Sequence, residues 1–176
     1  MLRPFKQLND MMKRNDSFFA KGGLSMNDLA QKYWNEYWET KQEEAPKSVS
    51  AWQFGDDADY LAQLVIDGIK TATCSGFIFY ELENERLPAV DDYSIILNSR
   101  DEPVGMIKIT DVKKMPMNEV PEDFAIAEGE GDRTYQYWKD AHTRFFTQEL
   151  GKLGLEFSED MLLVCERFEL VNAKGK

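Results

Sequence analysis

Two short segments carry side chains that could act together in catalysis. Lys70 and Thr73 lie three positions apart in the segment 68–73, and Glu130 lies in the acidic segment 128–132. A neutral lysine amine can take a proton from a hydroxyl, and a protonated carboxyl group can give one to a leaving amine. Thr73 as nucleophile, Lys70 as base or oxyanion partner and Glu130 as acid would supply the groups that hydrolysis of an amide needs.

The charge of Lys70 and the local geometry limit this chemistry. For Lys70 to act as a base, burial has to lower its pKa from about 10.4 to roughly 7 or 8, at a cost of about 4 kcal/mol. An ionised Glu130 nearby would raise that pKa, and the two residues would then form a structural ion pair unless burial keeps Glu130 neutral. Side chains three positions apart in a regular strand point to opposite faces. Lys70 and Thr73 can therefore cooperate only if a turn or bulge separates them.

Hydrophobic periodicity predicts three helices around these segments. An apolar residue at every fourth position predicts a helix over residues 26–38, with Ser25 as its N-cap. A second helical pattern ends at Gly68, a residue suited to the left-handed conformation that terminates helices. Lys70 is therefore expected just past a helix C-terminus. Asp132 is predicted to cap a third, longer helix with an apolar stripe of aromatic residues.

Stretches rich in β-branched and aromatic residues alternate with these helices and predict strands. They cover residues 70–74, 76–81, 93–98, 103–113 and 162–171. Several short strands with a few helices predict an α+β fold, in which a small and mostly antiparallel β-barrel is flanked by helices.

The composition predicts one domain that does not bind polyanions in general. The 176 residues carry 21 basic and 32 acidic side chains, and the net charge of −11 opposes non-specific attraction to a phosphate backbone. Residues 1–24 differ, with five basic and two acidic residues. They are predicted to form a poorly ordered or loosely docked extension, or else a nucleic-acid-binding arm, and residues 25–176 a single domain. No run approaches the ~20 apolar residues of a membrane span, and no leader is recognised, so a cytoplasmic protein is expected.

No metal ion or other cofactor is expected. Cys74 and Cys165 lack a second cysteine or a histidine at metal-ligand spacing, and both are predicted to be buried free thiols. His142, on a helix beside aromatic residues, is either a proton shuttle or a packed and hydrogen-bonded residue. Trp52 and Phe54 either sandwich a base or pack against the barrel.

Several of these motifs, taken together and in order, resemble the ASCH domain family. The resemblance covers residues 29–171. It rests on the segments Trp52-Gln53-Phe54-Gly55-Asp56, Gly68 to Thr73, Glu128-Gly129-Glu130-Gly131-Asp132-Arg133, Tyr137-Trp138, His142, Phe145-Phe146 and Val164-Cys165-Glu166-Arg167-Phe168. It implies a fold similar to PUA-like β-barrels, a cleft between barrel and helices, and a link to RNA metabolism.

The resemblance implies several different activities, because members of the family differ in function. Some ASCH relatives are amidohydrolases that remove the acetyl group of N4-acetylcytidine, some are reported as ribonucleases, and many are presumed to bind RNA. The family's lysine, threonine and acid correspond to Lys70, Thr73 and Glu130, with Glu128 as the competing choice for the acid. Ser75 stands where the family commonly has an arginine.

The expected partner is a small nucleoside or an unpaired base of single-stranded RNA. The candidate substrate-binding residues are Trp52, Phe54, Ser75, Glu128 and Arg133. The sequence thus favours an amidohydrolase acting on a modified pyrimidine nucleoside. The alternatives are a non-catalytic RNA-binding or regulatory module and a ribonuclease.

Overall fold

A computed structural model describes residues 26–55 and 57–175 of the chain. The predicted extension 1–24 and the predicted cap Ser25 lie outside the described residues. A 3-10 turn at Met117–Glu119 follows the fourth strand. The other elements, in chain order, are α1 (Asp28–Lys41), β1 (Val49–Gln53), α2 (Ala58–Ile66), β2 (Ala72–Gly76), α3 (Phe77–Glu83), β3 (Tyr93–Leu97), β4 (Pro103–Pro116), α4 (Glu122–Ala127), α5 (Tyr135–Lys152) and β5 (Leu162–Ala173).

The strands form one curled, half-barrel sheet in the order β1-β3-β4-β5-β2. β1 and β3 run parallel, and the other three neighbouring pairs are antiparallel. This confirms the predicted α+β fold with a mostly antiparallel sheet and flanking helices. No helix in the described part of the chain combines the length and the apolar character needed to cross a membrane.

The connection from α2 to β2 sets the position of Lys70. Gly68 adopts the left-handed conformation, with φ of 71°, just past the end of α2. The backbone N–H groups of Ile69 and Lys70 then both donate to the carbonyl of Leu64, at 2.9 and 3.0 Å. The placement of Lys70 after a helix C-terminus is confirmed. β2 begins at Ala72 and not at residue 70, so Lys70 and Thr73 do not share a regular strand. Their side chains therefore need not point to opposite faces of the sheet.

The predicted strand over residues 76–81 is wrong, because the chain forms helix α3 at Phe77–Glu83. The aromatic residues that favoured a strand by propensity are buried on the helix instead, and the Phe79 ring lies 6.3 Å from that of Phe146 in a stacked arrangement. Packing against a neighbouring element outweighs intrinsic strand propensity here.

Two helix starts also differ from the sequence prediction. α1 begins at Asp28, and the side chain of Asn27 caps it by accepting from the N–H of Ala30 at 2.8 Å. α5 is capped by Thr134, whose hydroxyl accepts from the N–H of Tyr137, whereas Asp132, two residues earlier, accepts hydrogen bonds from the Thr134 N–H and hydroxyl. Asparagine and threonine are both favoured at the N-cap because their side-chain oxygens can accept from N–H groups of the first turn.

β2 and β5 lie between two packed layers, because alternate side chains of a strand point to opposite faces. On one face, Cys74 and Cys165 join a buried cluster with residues of α4 and α5, including Trp138 and Phe146. On the other face, Phe168 joins a second cluster with α2, Trp52 and Phe54. Lys70 lies two residues before β2.

Candidate active site

The amine of Lys70 is buried among three oxygen acceptors, with a residue exposure of 1%. Nζ lies 2.7 Å from Oε1 of Glu130, 3.0 Å from Oε2 of Glu128 and 3.3 Å from the carbonyl oxygen of Glu128. An ammonium group has three N–H donors and no acceptor. All three donors of Lys70 are therefore used, and its geometry is that of a charged ammonium group.

Two glycines let the acidic loop approach Lys70 closely. Gly129 has a φ of 74°, and a Cβ at this position would lie 2.7 Å from the backbone oxygen of Ile69. Gly131 also has a positive φ, of 55°, and packs against the ring of Tyr137. The backbone N–H of Thr71 donates to the carbonyl of Ala127 at 2.8 Å and joins the loop to the segment before β2. A side chain at position 129 would push the two carboxylates away from Lys70.

Glu128 is the most deeply held carboxylate of the site, with 2% exposure. Its Oε1 accepts from the indole N–H of Trp138 at 2.9 Å and lies 3.5 Å from Nε2 of His142. The thiol of Cys74 lies beside the same carboxylate, with its sulphur within 4.8 Å of a carboxylate oxygen. Glu130, by contrast, keeps 26% of its side chain exposed and contacts Lys70 through one oxygen.

The charges of this cluster stabilise one another against the cost of burial. Burial by itself lowers the pKa of Lys70, but the carboxylates of Glu128 and Glu130 outweigh it and raise that pKa above its ordinary value. Burial raises the pKa of Glu128, yet Lys70, His142 and the Trp138 hydrogen bond bring it below its ordinary value. The neutral lysine that a base would require is thus disfavoured, and this opposes the predicted role of Lys70 as a base.

Thr73 lies on β2 and lines the same pocket as Lys70 and Glu130. No hydrogen bond joins its hydroxyl to another residue in the described part of the chain. The Lys70 amine makes its hydrogen bonds to Glu128 and Glu130 and not to this hydroxyl. The structure brings the three predicted catalytic residues to one pocket without joining Thr73 to Lys70.

This central pocket has a volume of about 170 Å³. Its walls combine aromatic rings with the charged cluster, and the Lys70 ammonium lies 5.4 Å from the centre of the Phe54 ring. The lining residues are Phe54, Gly55, Leu61, Lys70, Thr73, Cys74, Glu128, Glu130, Tyr137, Ala141, His142, Arg144, Phe145, Phe146 and Gln148.

Of the predicted substrate-binding residues, Phe54 and Glu128 line the central pocket and three lie elsewhere. Ser75 is buried and shares a hydrogen bond of 2.9 Å with the hydroxyl of Tyr80. Trp52 lines a different cavity, although its ring meets that of Phe54 edge-on at 4.7 Å. Arg133 is exposed in the turn before α5, with a φ of 59°. These three residues do not contribute to the wall of the central pocket.

Helix α5 contributes pocket residues that sequence reasoning treated as core or left out. Tyr137, Ala141 and Phe145 follow one another at intervals of four, and Arg144 and Gln148 extend the same side of the helix into the pocket. His142 is packed and hydrogen-bonded, since Nδ1 lies 2.8 Å from the Trp138 carbonyl, and it also lines the pocket. The i, i+4 spacing of these residues indicates that they share one face of the helix, but it does not distinguish a face buried in the core from one that lines a pocket.

A second cavity, of about 470 Å³, lies beside Trp52 and contains a pair of acidic residues from the end of α3 and the loop that follows. Glu83 and Glu85 both line this cavity, and the negative charge of one carboxylate disfavours ionisation of the other. Burial and the neighbouring Glu85 carboxylate raise the pKa of Glu83 to about 7.

This pair is expected to make the stability of the protein depend on pH. Folded Glu83 keeps its proton to about pH 7, whereas the unfolded residue loses it near 4.5, so the folded chain binds more protons between these values. The free energy of unfolding should therefore fall as the pH rises through this window.

Glu83→Gln should be more stabilising at pH 8 than at pH 4, measured by urea unfolding. Glu81→Gln, on the exposed side of the same helix, is the control, and an equal pH dependence in both variants would contradict the assignment.

Comparison with known proteins agrees with the fold. The profile of the ASCH domain matches residues 50–172. The structure is similar to an ASCH domain from Lactobacillus crispatus JV V101, with 38% identity, a TM-score of 0.79, and 84% of this chain and 97% of that chain covered. It is also similar to protein EF3133 from Enterococcus faecalis V583, with 39% identity, a TM-score of 0.75, and 86% and 97% covered. The comparison with curated proteins gave no match. The chain therefore belongs to the ASCH domain family.

Proposed function

We propose that this ASCH-domain protein hydrolyses an amide on a modified pyrimidine nucleoside such as N4-acetylcytidine. The observation that carries the proposal is the convergence of Thr73, Lys70 and Glu130 on the central pocket. Acyl transfer needs a nucleophile, a group that moves protons and a positive charge near the developing oxyanion. A hydroxyl, a carboxylate and a buried ammonium group beside one aromatic cavity fit these needs.

Glu130 moves the protons in this scheme, because the Lys70 ammonium group has no lone pair. The Thr73 oxygen attacks the acetyl carbonyl carbon while Glu130 accepts the hydroxyl proton, and Glu130 then gives that proton to the departing N4 amine. Water then attacks the resulting acetyl-threonine ester while Glu130 accepts a proton from it, and Glu130 returns this proton to the Thr73 oxygen as acetate leaves. Lys70 fixes Glu130 through their contact of 2.7 Å and supplies positive charge near the oxyanion.

The size and charge of the site favour a nucleoside over a long RNA. A volume of about 170 Å³ is below the roughly 300–1,000 Å³ of sites for drug-sized ligands, so the pocket suits a base with a small acyl group. The rings of Phe54 and Phe145 offer stacking surfaces. The net charge of −11 opposes a phosphate backbone, and among the described residues that line the pocket Arg144 is the one lysine or arginine besides Lys70.

Hydrolysis of N4-acetylcytidine by the purified protein tests the proposal, with cytidine and acetate measured by chromatography. Thr73→Val removes the nucleophile but keeps the shape of the side chain, and it should lower kcat by at least about 10³-fold. Thr110→Val makes the same change at an exposed strand position and should leave kcat unchanged. A folded Thr73→Val variant with the wild-type rate would exclude covalent catalysis by this residue.

A lack of hydrolysis across a panel of acylated nucleosides would contradict the enzymatic proposal. The same protein should then be titrated with labelled single-stranded RNA at several salt concentrations. Tight binding that weakens steeply with salt would support the alternative of an RNA-binding module. Weak binding at physiological salt is the result that the net charge leads us to expect.

A further inference from the structure

Three side chains of different chemistry converge at the inner end of the central pocket. Cys74 comes from β2, Glu128 from the end of α4 and His142 from α5. The thiol sulphur, a carboxylate oxygen and a ring nitrogen all lie within 4.8 Å of one another. Cys74 and Glu128 are buried, and His142 keeps 13% of its side chain exposed.

The hydrogen bond of His142 orients its ring towards this cluster. Nδ1 lies 2.8 Å from the carbonyl oxygen of Trp138, and a carbonyl oxygen can only accept, so Nδ1 carries a proton. A neutral ring, the form that can bind a metal ion, then has a lone pair on Nε2, which faces Oε1 of Glu128 at 3.5 Å. Two acceptors face each other at that distance, and a cation between them would satisfy both. A histidine that donates its other N–H to a backbone carbonyl is the usual arrangement at metal centres.

The outer contacts of Glu128 leave room for a metal ion. Oε2 is taken by Lys70 at 3.0 Å, whereas Oε1 accepts the Trp138 indole N–H at 2.9 Å and keeps a second lone pair. Such hydrogen bonds to a carboxylate ligand hold it in position at metal sites. Stacking of the His142 ring on that of Trp138, at 4.5 Å between centres, fixes the second ligand in the same way.

The charges of the cluster also balance with a divalent ion. Burial and the Glu128 carboxylate raise the pKa of the Cys74 thiol, so a metal ion has to displace the thiol proton, which is released to solvent. The thiolate and the Glu128 carboxylate then neutralise the two positive charges of the ion, while Lys70 remains paired with Glu130. Sulphur, imidazole and carboxylate ligands together match zinc or cobalt better than the oxygen-preferring ions magnesium and calcium. All three residues line the central pocket, so a fourth coordination position would open towards it.

We propose that Cys74, Glu128 and His142 bind a divalent transition-metal ion of the zinc class, with a fourth position open to the central pocket. The site does not depend on the hydrolysis proposed above, and metal binding can be measured without any substrate. No sequence spacing predicted it, because each ligand comes from a different element and only the packing of α4 and α5 against β2 brings them together.

Cobalt binding under reducing, anaerobic conditions tests the proposal. The full-length protein, treated with a chelator, is titrated with Co²⁺ and its absorbance is recorded. We expect one equivalent to bind, with a thiolate-to-cobalt charge-transfer band and the intense visible bands of a four-coordinate site. Zinc should displace the cobalt and abolish both features.

Variants identify the ligands. Cys74→Ser should remove the charge-transfer band, whereas Cys165→Ser, its buried cross-strand neighbour, should keep it. His142→Gln should weaken cobalt binding at least tenfold, and circular dichroism verifies that each variant is folded. Absence of the band in the wild type, or its persistence in Cys74→Ser, would overturn the proposal.

Discussion

Replacement of Lys70 by methionine is expected to lower the free energy of unfolding by about 3–5 kcal/mol. Methionine fills a similar volume but leaves Glu128 buried beside Glu130 without the ammonium group that contacts both. Removing one member of a buried ion pair costs far more than the pair contributes, because the remaining charge is then uncompensated. Urea unfolding followed by circular dichroism measures the change.

Two further variants distinguish the effect of an uncompensated buried charge on stability from the effect of losing any lysine. Lys108→Met removes a lysine that pairs with Asp91 at the surface, at 2.6 Å, and should destabilise the protein much less. Lys70→Met combined with Glu128→Gln removes the uncompensated charge and should recover part of the lost stability. If Lys70→Met costs no more than Lys108→Met, the buried cluster does not hold the acidic loop in place.

The position of Lys70 follows from local rules, and these could be applied to the sequence. A helix that ends at a glycine fixes the direction of the next residues, and Gly68 does adopt the left-handed conformation. The acidic loop was recognisable from its composition, and its glycines permit the close approach to Ile69. Such features depend on a few neighbouring residues, which is why the sequence predicts them well.

The remaining parts of the site depend on packing between distant elements. α3 was predicted as a strand because its aromatic residues favour strands, and only the buried contact with Phe146 explains the helix. The difference between Glu128 and Glu130 likewise comes from Trp138 and His142, which reach one carboxylate and not the other. Two glutamates separated by a glycine look equivalent in sequence, and tertiary contacts make them different.

These contacts predict different consequences for the two carboxylates. Glu130→Gln should lower kcat for an acylated nucleoside by about 10²–10⁴-fold, because an amide cannot accept the hydroxyl proton. Its effect on stability should be small, since Glu130 is partly exposed and makes one contact. Glu128→Gln should instead lower the free energy of unfolding by about 1–3 kcal/mol, because Lys70 loses one charged partner and Trp138 loses a charged acceptor.

Measuring kcat and the free energy of unfolding on the same preparations shows whether Glu130 or Glu128 is the residue that transfers the proton. Glu122→Gln, an exposed carboxylate at the start of α4, controls for the loss of one negative charge and should change neither quantity appreciably. If Glu130→Gln keeps the wild-type kcat while a folded Glu128→Gln loses it, the proton is moved by the buried carboxylate. His142 and Trp138, which hold that carboxylate, would then be the residues that position the proton-transfer group.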